Sequence, residues 1–384
     1  MNDNHATKYL LSLPDHTAVG TPDNLRRLLS AVDIGGKQLD IIKILGETGK
    51  STVAALLSSL LTHSGISHGC VFLAKRTDPR LSINIDGKTV GHGPFAKAVT
   101  KVWQAANICG IQSPSYDEIL LAAAHILFSE EGCRAAIVVL SAENPCSAAS
   151  GLPLPSLSVV TSSTKQTVER MLPLLDAGSE MVSPPQTLDV YNLLRGHAAA
   201  RFNIPTQNDL RDVSVSGHTL SFACYGDKYL LPTPALYHMH NAACVIEAFR
   251  ALERQKKNVT KKALETALSQ SGCYKSFRLF SLSPAWLLDA ATSPYRLGEL
   301  EKAVSALPHL FDGGFDMIAE TDIAELCERT FGERIKNLLT LDKATAAKHM
   351  KTLPLPDKGP LIILGSKPFL TEINRALDAR FLYG

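Results

Sequence analysis

The feature that most constrains this chain is a short run, Gly46-Glu47-Thr48-Gly49-Lys50-Ser51-Thr52, set between two segments of different periodicity. Before it stands the β-branched run Ile41-Ile42-Lys43-Ile44-Leu45, which reads as a buried strand. After it, Val53, Leu56, Leu57, Leu60 and Leu61 recur at helical spacing. A strand, a glycine loop and a helix in that order make an anion cradle. The glycines let successive N–H groups turn toward one point. The helix start adds unpaired donors and the positive end of its dipole. Lys50 supplies an ammonium for terminal phosphates, and Ser51 or Thr52 a hydroxyl for Mg²⁺. Gly46 to Thr52 is therefore read as a nucleotide-phosphate loop, two residues shorter than the general G-x-x-x-x-G-K-[ST] form. A plain tight turn is the competing reading, and the flanking strand and helix weigh against it.

Length and composition frame this loop. At about 150 residues per domain, 384 residues imply two or three domains. A formal net charge of +2 and the absence of a basic stripe argue against nucleic acid. The one dense cluster, Arg254-Gln255-Lys256-Lys257 with Lys261-Lys262, reads as a solvated helix end. Eight cysteines without a C-x-x-C pair exclude a zinc or disulfide framework and point to buried thiols in a reducing, cytoplasmic setting. The N-terminal Met-Asn-Asp-Asn-His lacks secretory order, and no run of about 20 apolar residues exists to span a membrane.

Periodicity predicts helices over 22–32, 95–106, 116–131, 236–254, 259–270, 297–306 and 369–379. It predicts strands at 70–73, 135–140, 158–161, 285–288 and 361–364, with a further strand and helix after 306. Leu81 to Val90, with Asp86-Gly87, reads as a hairpin. Residues 177–217 give no clear pattern. The series Asp316, Glu320, Asp322, Glu325 reads as the solvated face of a helix, and Trp103 and Trp286 as core. His238 and His240, spaced i, i+2, would diverge on a helix, so no zinc site is read there.

The shorter loop spacing resembles the Mur ligase superfamily, and the chain looks closest to its folylpolyglutamate and dihydrofolate synthases. The resemblance runs collinearly from about residue 20 to 380. Thr77-Asp-Pro-Arg-Leu81 and Ile83-Asn-Ile-Asp-Gly87 resemble the family's folate-side loop and hairpin. Ser115-Tyr-Asp-Glu-Ile-Leu120 through Phe128-Ser-Glu-Glu-Gly132 is similar to its long helix before the catalytic strand. Asn241-Ala-Ala243 resembles the segment where an Asn meets the nucleotide, and Ser276-Phe-Arg278 the entry to the C-terminal domain. Leu288-Asp289-Ala-Ala-Thr-Ser-Pro294 is similar to the family's Asp-Gly-Ala-His-Asn-Pro, and Ile363-Leu-Gly365-Ser366 to its last strand.

The resemblance implies an α/β fold: a three-layer, P-loop ATPase domain over 1–272 and a smaller Rossmann-like domain over 273–384, with ATP in the cleft between them. It implies ATP-dependent amide formation, in which a carboxylate is phosphorylated and an amino acid such as glutamate displaces the phosphate. Gly46, Glu47, Thr48, Gly49, Lys50, Ser51, Thr52, Asn241, Arg278 and Asp289 would bind ATP, Lys50, Arg278 and Asp289 would act in catalysis, and Ser51 would hold Mg²⁺. The residues alone leave Asp289 open between a ligand contact and a helix cap, Arg278 between a phosphate contact and a surface ion pair, and Asn241 between a cap and an adenine-side contact. The implied partners are a folate-like carboxylate and an amino acid, with no nucleic acid and no membrane, in a monomer or weak oligomer.

The chain departs from the family at several positions. Val139 stands where a metal-holding Glu belongs, with Glu143 the nearest acid. The family's Asp-His falls at Gln166-Thr167, and its carbamylated Lys falls near Asp176. Its C-terminal His falls at Thr292, and its His-Gln is shifted into Tyr237-His238. Lost electrostatic contacts at a phosphoryl-transfer centre slow it severely. A nucleotide-binding pseudoligase that regulates or scaffolds a partner is thus the alternative. A plain P-loop NTPase or kinase ranks last, because Val138-Val139-Leu140 ends without an acid.

Overall fold

The computed structural model describes residues 2–14, 21–32, 39–74, 76–141, 147–198, 200–206, 208–274, 276–282, 284–352, 359–366 and 368–374. Its strands are β1 (Asp40–Leu45), β2 (His68–Phe72), β3 (Ile83–Ile85), β4 (Lys88–Thr89), β5 (Ala135–Val139), β6 (Leu157–Val160), β7 (Glu180–Val182), β8 (Phe202–Asn203), β9 (Leu210–Ser216), β10 (Thr219–Cys224), β11 (Asp227–Leu231), β12 (Arg278–Leu282), β13 (Ala285–Asp289), β14 (Phe315–Glu320), β15 (Ile335–Leu341) and β16 (Leu361–Leu364). Its helices are α1 (Asp3–Ser12), α2 (Pro22–Ala31), α3 (Lys50–His63), α4 (His92–Ile108), α5 (Tyr116–Glu130), α6 (Lys165–Met171), α7 (Leu188–His197), α8 (Tyr237–Arg254), α9 (Lys261–Leu268), α10 (Pro294–Ser305), α11 (Pro308–Phe311), α12 (Ala324–Phe331) and α13 (Lys343–Thr352). The chain divides into two compact units, one of 1–211, 223–229 and 240–269, the other of 212–222, 230–239 and 270–384. Strands β9 to β11 form a three-stranded sheet whose residues belong partly to each unit.

The first unit is built on an eight-stranded sheet in the order β4-β3-β2-β5-β1-β6-β7-β8. Strand β1 pairs in parallel with β5 on one side and β6 on the other. A parallel strand covered on both faces reads as a continuous apolar run, as Ile41 to Leu45 does. The β3–β4 hairpin turns at Asp86 and Gly87, at φ 48° and 78°, where two left-handed residues match the strand twist. Helix α5 carries a capping box: Glu118 N–H donates to Ser115 Oγ at 3.3 Å, and Ser115 N–H to Glu118 Oε2 at 2.6 Å.

One residue of β1 breaks its apolar run. Lys43 is fully buried, and its Nζ sits 2.6 Å from Asp176 Oδ2, whose side chain is 25% exposed. An unpaired ammonium at this depth is prohibitive, so the pair fixes residue 176 against the central strand.

The second unit holds a five-stranded sheet in the order β12-β13-β16-β14-β15, parallel except for β12. Its side chains sort by strand period. Ala285, Leu287, Met317, Ala319, Ile362 and Leu364 pack into one core. Trp286, Leu288, Ile318, Leu361 and Ile363 pack into another, on the opposite face. Both faces are therefore covered.

Three expectations are corrected here. Asp316 and Glu320 lie on strand β14, not on a helix face. Asp316 Oδ1 accepts from Asn337 Nδ2 at 2.8 Å. Glu320, 8% exposed, accepts from the backbone N–H of Ser366 at 2.6 Å and its Oγ at 3.0 Å. Glu325 is on α12, exposed and paired with Arg329 one turn on, and Asp322 lies on the short 3-10 turn before it, also exposed. Trp103 is 39% exposed on α4, whose Val99, Val102 and Ala106 stripe faces the core instead, while Trp286 is buried as expected. Helix α10 begins at Pro294, three residues before the start expected at 297. Ser293 is its N-cap, and proline at the first helical position is a start signal. The patternless region 177–217 supplies β7, α7, β8 and β9. Residues 368–374 are helical, and the rest of the helix expected to 379 lies outside the described residues, as does Glu143. No helix among the described residues is long and apolar enough to cross a membrane. Cys70, Cys109, Cys133, Cys224, Cys244, Cys273 and Cys327 are free thiols, and Cys146 is outside the described residues.

The Lys43–Asp176 pair makes a stability prediction. Asp176→Ala leaves a buried ammonium without its carboxylate, and chemical denaturation should show a loss of about 3 kcal/mol. Adding Lys43→Met should recover most of that loss. Equal stability of Asp176→Ala and wild type would show that the pair is not what holds residue 176.

Candidate functional site

The glycine loop leaves the carboxyl end of β1, the central parallel strand, where open α/β sheets hold ligands. Two close approaches explain its glycines. At Gly46, φ is 125°, and a Cβ would stand 2.1 Å from Thr161 Oγ1. At Gly49, φ is 86°, and a Cβ would stand 2.0 Å from Asn241 Oδ1. Neither position admits a side chain without moving its neighbour.

Gly49 is the N-cap of α3 and carries no capping side chain. The first helical bond runs from Val53 N–H to Gly49 C=O at 2.9 Å. The amides of Lys50, Ser51 and Thr52 therefore precede the helical ladder and define the donor end of the helix. The Lys50 ammonium folds back across the loop, donating to Gly46 C=O at 2.6 Å and Glu47 C=O at 3.2 Å. Ser51 is exposed and Thr52 is 5% exposed.

The other side of the loop is tied down. Glu47 and Thr48 both donate their N–H to Ser162 C=O, at 3.2 and 3.1 Å. Glu47 N–H also reaches Ser163 Oγ at 3.2 Å. The Glu47 carboxylate turns to the start of α6, where Oε2 lies 2.9 Å from both the Thr164 and Thr167 hydroxyls and 3.3 Å from Thr164 N–H. Gln186 braces the same segment, donating from Nε2 to Thr161 C=O at 3.1 Å and accepting at Oε1 from Ser163 N–H at 3.3 Å. Thr161, Ser162, Ser163, Thr164, Thr167 and Gln186 were not singled out by sequence as loop partners. Their signal was a hydroxyl-rich run straight after a buried strand.

Asn241, on the second turn of α8, is 5% exposed and forms the wall against Gly49. It stands beside the glycine loop, within the first unit.

The residues present bear on a divalent cation. Val139, at the end of β5, is 4% exposed and paired with Ile44 and Phe72, so it offers no oxygen. Thr167 bonds Glu47, and Asp176 bonds Lys43. Among the described residues no group of three or more His, Cys, Asp or Glu is placed to hold a metal. The loop itself carries a carboxylate at Glu47 and hydroxyls at Ser51 and Thr52. Mg²⁺ at nucleotide sites takes one or two carboxylates with phosphate oxygens and water, so this hard-oxygen set fits it.

In the second unit, Asp289 ends β13 and is 6% exposed. Its Oδ2 accepts from Tyr237 Oη at 2.8 Å and from Phe277 N–H at 2.7 Å. Burial pushes its carboxyl pKa up and holds the Tyr237 phenol well above its ordinary range. The helix-capping role open to Asp289 falls to Ser293, whose Oγ accepts from Arg296 N–H at 3.4 Å. Phe277 has φ 53°, a strained value for a bulky residue, and Asp289 holds its amide. Arg278 follows on β12, exposed, with Nη1 3.4 Å from Asn374 Oδ1. The structure thus joins Asp289 and Arg278 through one strained residue. It joins Gly46 to Thr52 with Asn241 in the other unit.

His238 is fully buried beside this cluster, with Nε2 3.4 Å from Ser276 C=O and its ring edge-on to Tyr274 at 5.0 Å. Burial lowers its pKa from 6.5 to about 4.

No family model matches the chain, and no curated protein matches its sequence. Solved structures do match. The folylpolyglutamate synthetase from Lactobacillus casei is 18% identical, with TM-score 0.79 over 100% of both chains. An FPGS–AMPPCP–folate complex is 18% identical, with TM-score 0.78 over 100% of both chains. E. coli FolC in complex with DHPP and ADP is 16% identical, with TM-score 0.77 over 99% of both chains. The chain has the fold of these synthetases, as the resemblance read from its motifs implied.

Two tests follow from this geometry. Gly49→Ala should lower thermal stability and remove nucleotide binding, and Asn241→Ala should not restore it, because the φ of 86° remains. Wild-type affinity in the double variant would refute the backbone argument. For His238, the folded protein binds fewer protons than the unfolded chain between pH 6.5 and about 4. Its contribution is complete above 6.5 and falls as pH drops toward 4, by about 3 kcal/mol. His68, buried at the start of β2 and also lowered, acts in the same direction. His238→Phe should flatten the stability profile across that window. An unchanged slope would assign acid sensitivity elsewhere.

Proposed function

We propose that this chain is an ATP-dependent carboxylate–amine ligase of the folylpolyglutamate synthase type. ATP would transfer its γ-phosphoryl group to the carboxylate of a small folate-like acceptor, releasing ADP. The amino group of an amino acid such as glutamate would then attack the acyl carbon, expel phosphate, and lose a proton to form the amide. The observation that carries this reading is the phosphate loop: a glycine-walled helix start at the end of a central parallel strand, with the Lys50 ammonium lying across it. The full-length likeness to synthetase structures, some in complex with AMPPCP or ADP, supports it.

The residues have distinct tasks in this scheme. The amides of Lys50, Ser51 and Thr52 receive phosphate oxygens. The Lys50 ammonium leaves the Gly46 and Glu47 carbonyls and pairs with the terminal phosphates, opposing the charge that builds there. Thr161 and Asn241 keep the backbone close enough for this approach. The Ser51 hydroxyl would hold Mg²⁺. When bound, Mg²⁺ supplies charge neutralisation on the transferring phosphoryl group. Arg278 and Asp289 are proposed as further nucleotide-binding residues, with Asp289 fixing the Phe277–Arg278 backbone.

A second reading, a pseudoligase that binds nucleotide without making amides, is favoured by Val139 at the end of β5. One assay separates the two. ADP release is followed with ATP, Mg²⁺, tetrahydrofolate and glutamate, omitting each in turn. Acceptor-dependent release, reduced about 10²–10³-fold by Lys50→Ala, supports the ligase. Calorimetric ATP binding without turnover supports the pseudoligase. No binding at all would remove both.

A further inference from the structure

The phosphate loop carries an acid at its second position, and this creates an electrostatic problem. Glu47 lies three residues before Lys50, in the loop whose helix start is aimed at phosphate. A fixed carboxylate there repels a triphosphate. The loop holds one ammonium to oppose that charge, Lys50, and it donates to the Gly46 and Glu47 carbonyl oxygens.

The carboxylate is also held in a particular way. Oε2 has two hydroxyl groups at 2.9 Å, from Thr164 and Thr167, and the Thr164 amide at 3.3 Å. Its backbone is fixed as well, with the N–H directed to Ser162 C=O and Ser163 Oγ. Carboxylates that ligate metals carry such an outer shell, which locks one oxygen and thereby aims the group. The strand end that offers an alternative, Val139 on β5, is buried and apolar. The loop therefore carries a preoriented acid and, four positions on, an exposed serine, Ser51, and among the described residues no group of three or more His, Cys, Asp or Glu is placed to hold a metal.

We propose that Glu47 is the protein carboxylate through which this chain holds the divalent cation of a bound nucleoside triphosphate, with Thr164 and Thr167 as its positioning shell. The inference rests on the nucleotide-binding reading above and adds a residue to it. A cation shared between the carboxylate and the phosphates turns a repulsion into an attraction. Without the cation, the same carboxylate opposes binding. Glu47 thus makes affinity depend on the metal rather than simply raising it.

The test is calorimetric and needs no turnover. ATP is titrated into wild type, Glu47→Gln and Thr167→Val, once with Mg²⁺ and once with EDTA, after thermal melts confirm that each variant is folded. Wild type should bind Mg·ATP at least tenfold more tightly than metal-free ATP. Glu47→Gln should bind metal-free ATP as well as wild type or better, and Mg·ATP more weakly, so that the ratio collapses toward one. Thr167→Val should lower the same ratio by about tenfold, the scale of a lost outer-shell partner. If both forms of ATP weaken equally in Glu47→Gln, the residue only braces the loop and the proposal falls. A wild-type ratio retained in Glu47→Gln also overturns it, while nucleotide binding stands. If wild type binds neither form of ATP, the nucleotide reading itself fails.

Discussion

The structure of the first unit depends on how closely two neighbours approach the turn after β1. Thr161 leaves no room for a Cβ at Gly46, and Asn241 leaves none at Gly49. These contacts come from segments more than a hundred residues away in sequence, one following β6 and one on α8. They let backbone, rather than side chain, form the wall of the anion cradle, and they require β6 and α8 to sit where they do. The parallel registers of β5 and β6 on either side of β1 set that placement. The phosphate loop is therefore a product of the whole sheet.

This explains what was legible in the sequence. The loop could be read because its signal is local: glycines at fixed spacing, a β-branched run before, a helical period after. The strand Leu361-Ile-Ile-Leu364 was legible for the same reason, as a short apolar run closed by Gly365. The Lys43–Asp176 pair joins residues 133 apart, and nothing in Ile42-Lys43-Ile44 names its partner. The acids of β14 were misread because spacings of four and three mimic a helix face. In the structure Glu320 turns inward to bond the Ser366 amide and hydroxyl instead. Trp103 was assigned to the core on size alone, yet α4 is oriented by its smaller Val99, Val102 and Ala106 stripe.

The departures from the family pattern gain a physical meaning once placed. Thr167 stands where a metal-ligating His was expected, and its hydroxyl bonds Glu47. Asp176 stands near the position of a modified Lys, and it neutralises a buried ammonium. In both places the substituted residue has a defined partner.

Asp289 shows the limit of transferring roles by position. At the end of a parallel strand, an acid is placed to meet a ligand. Here its Oδ2 already holds a phenol and a strained amide, and burial raises its pKa. A group so committed positions its neighbours. The residue it positions is Phe277, whose left-handed backbone sets the direction in which Arg278 leaves the strand. The strain at residue 277 persists only because Asp289 accepts its N–H, and the acid is kept in place in turn by Tyr237. The acid of the 288–294 segment is thus committed to the strand end, and the cationic group that this geometry presents is Arg278, next to Phe277.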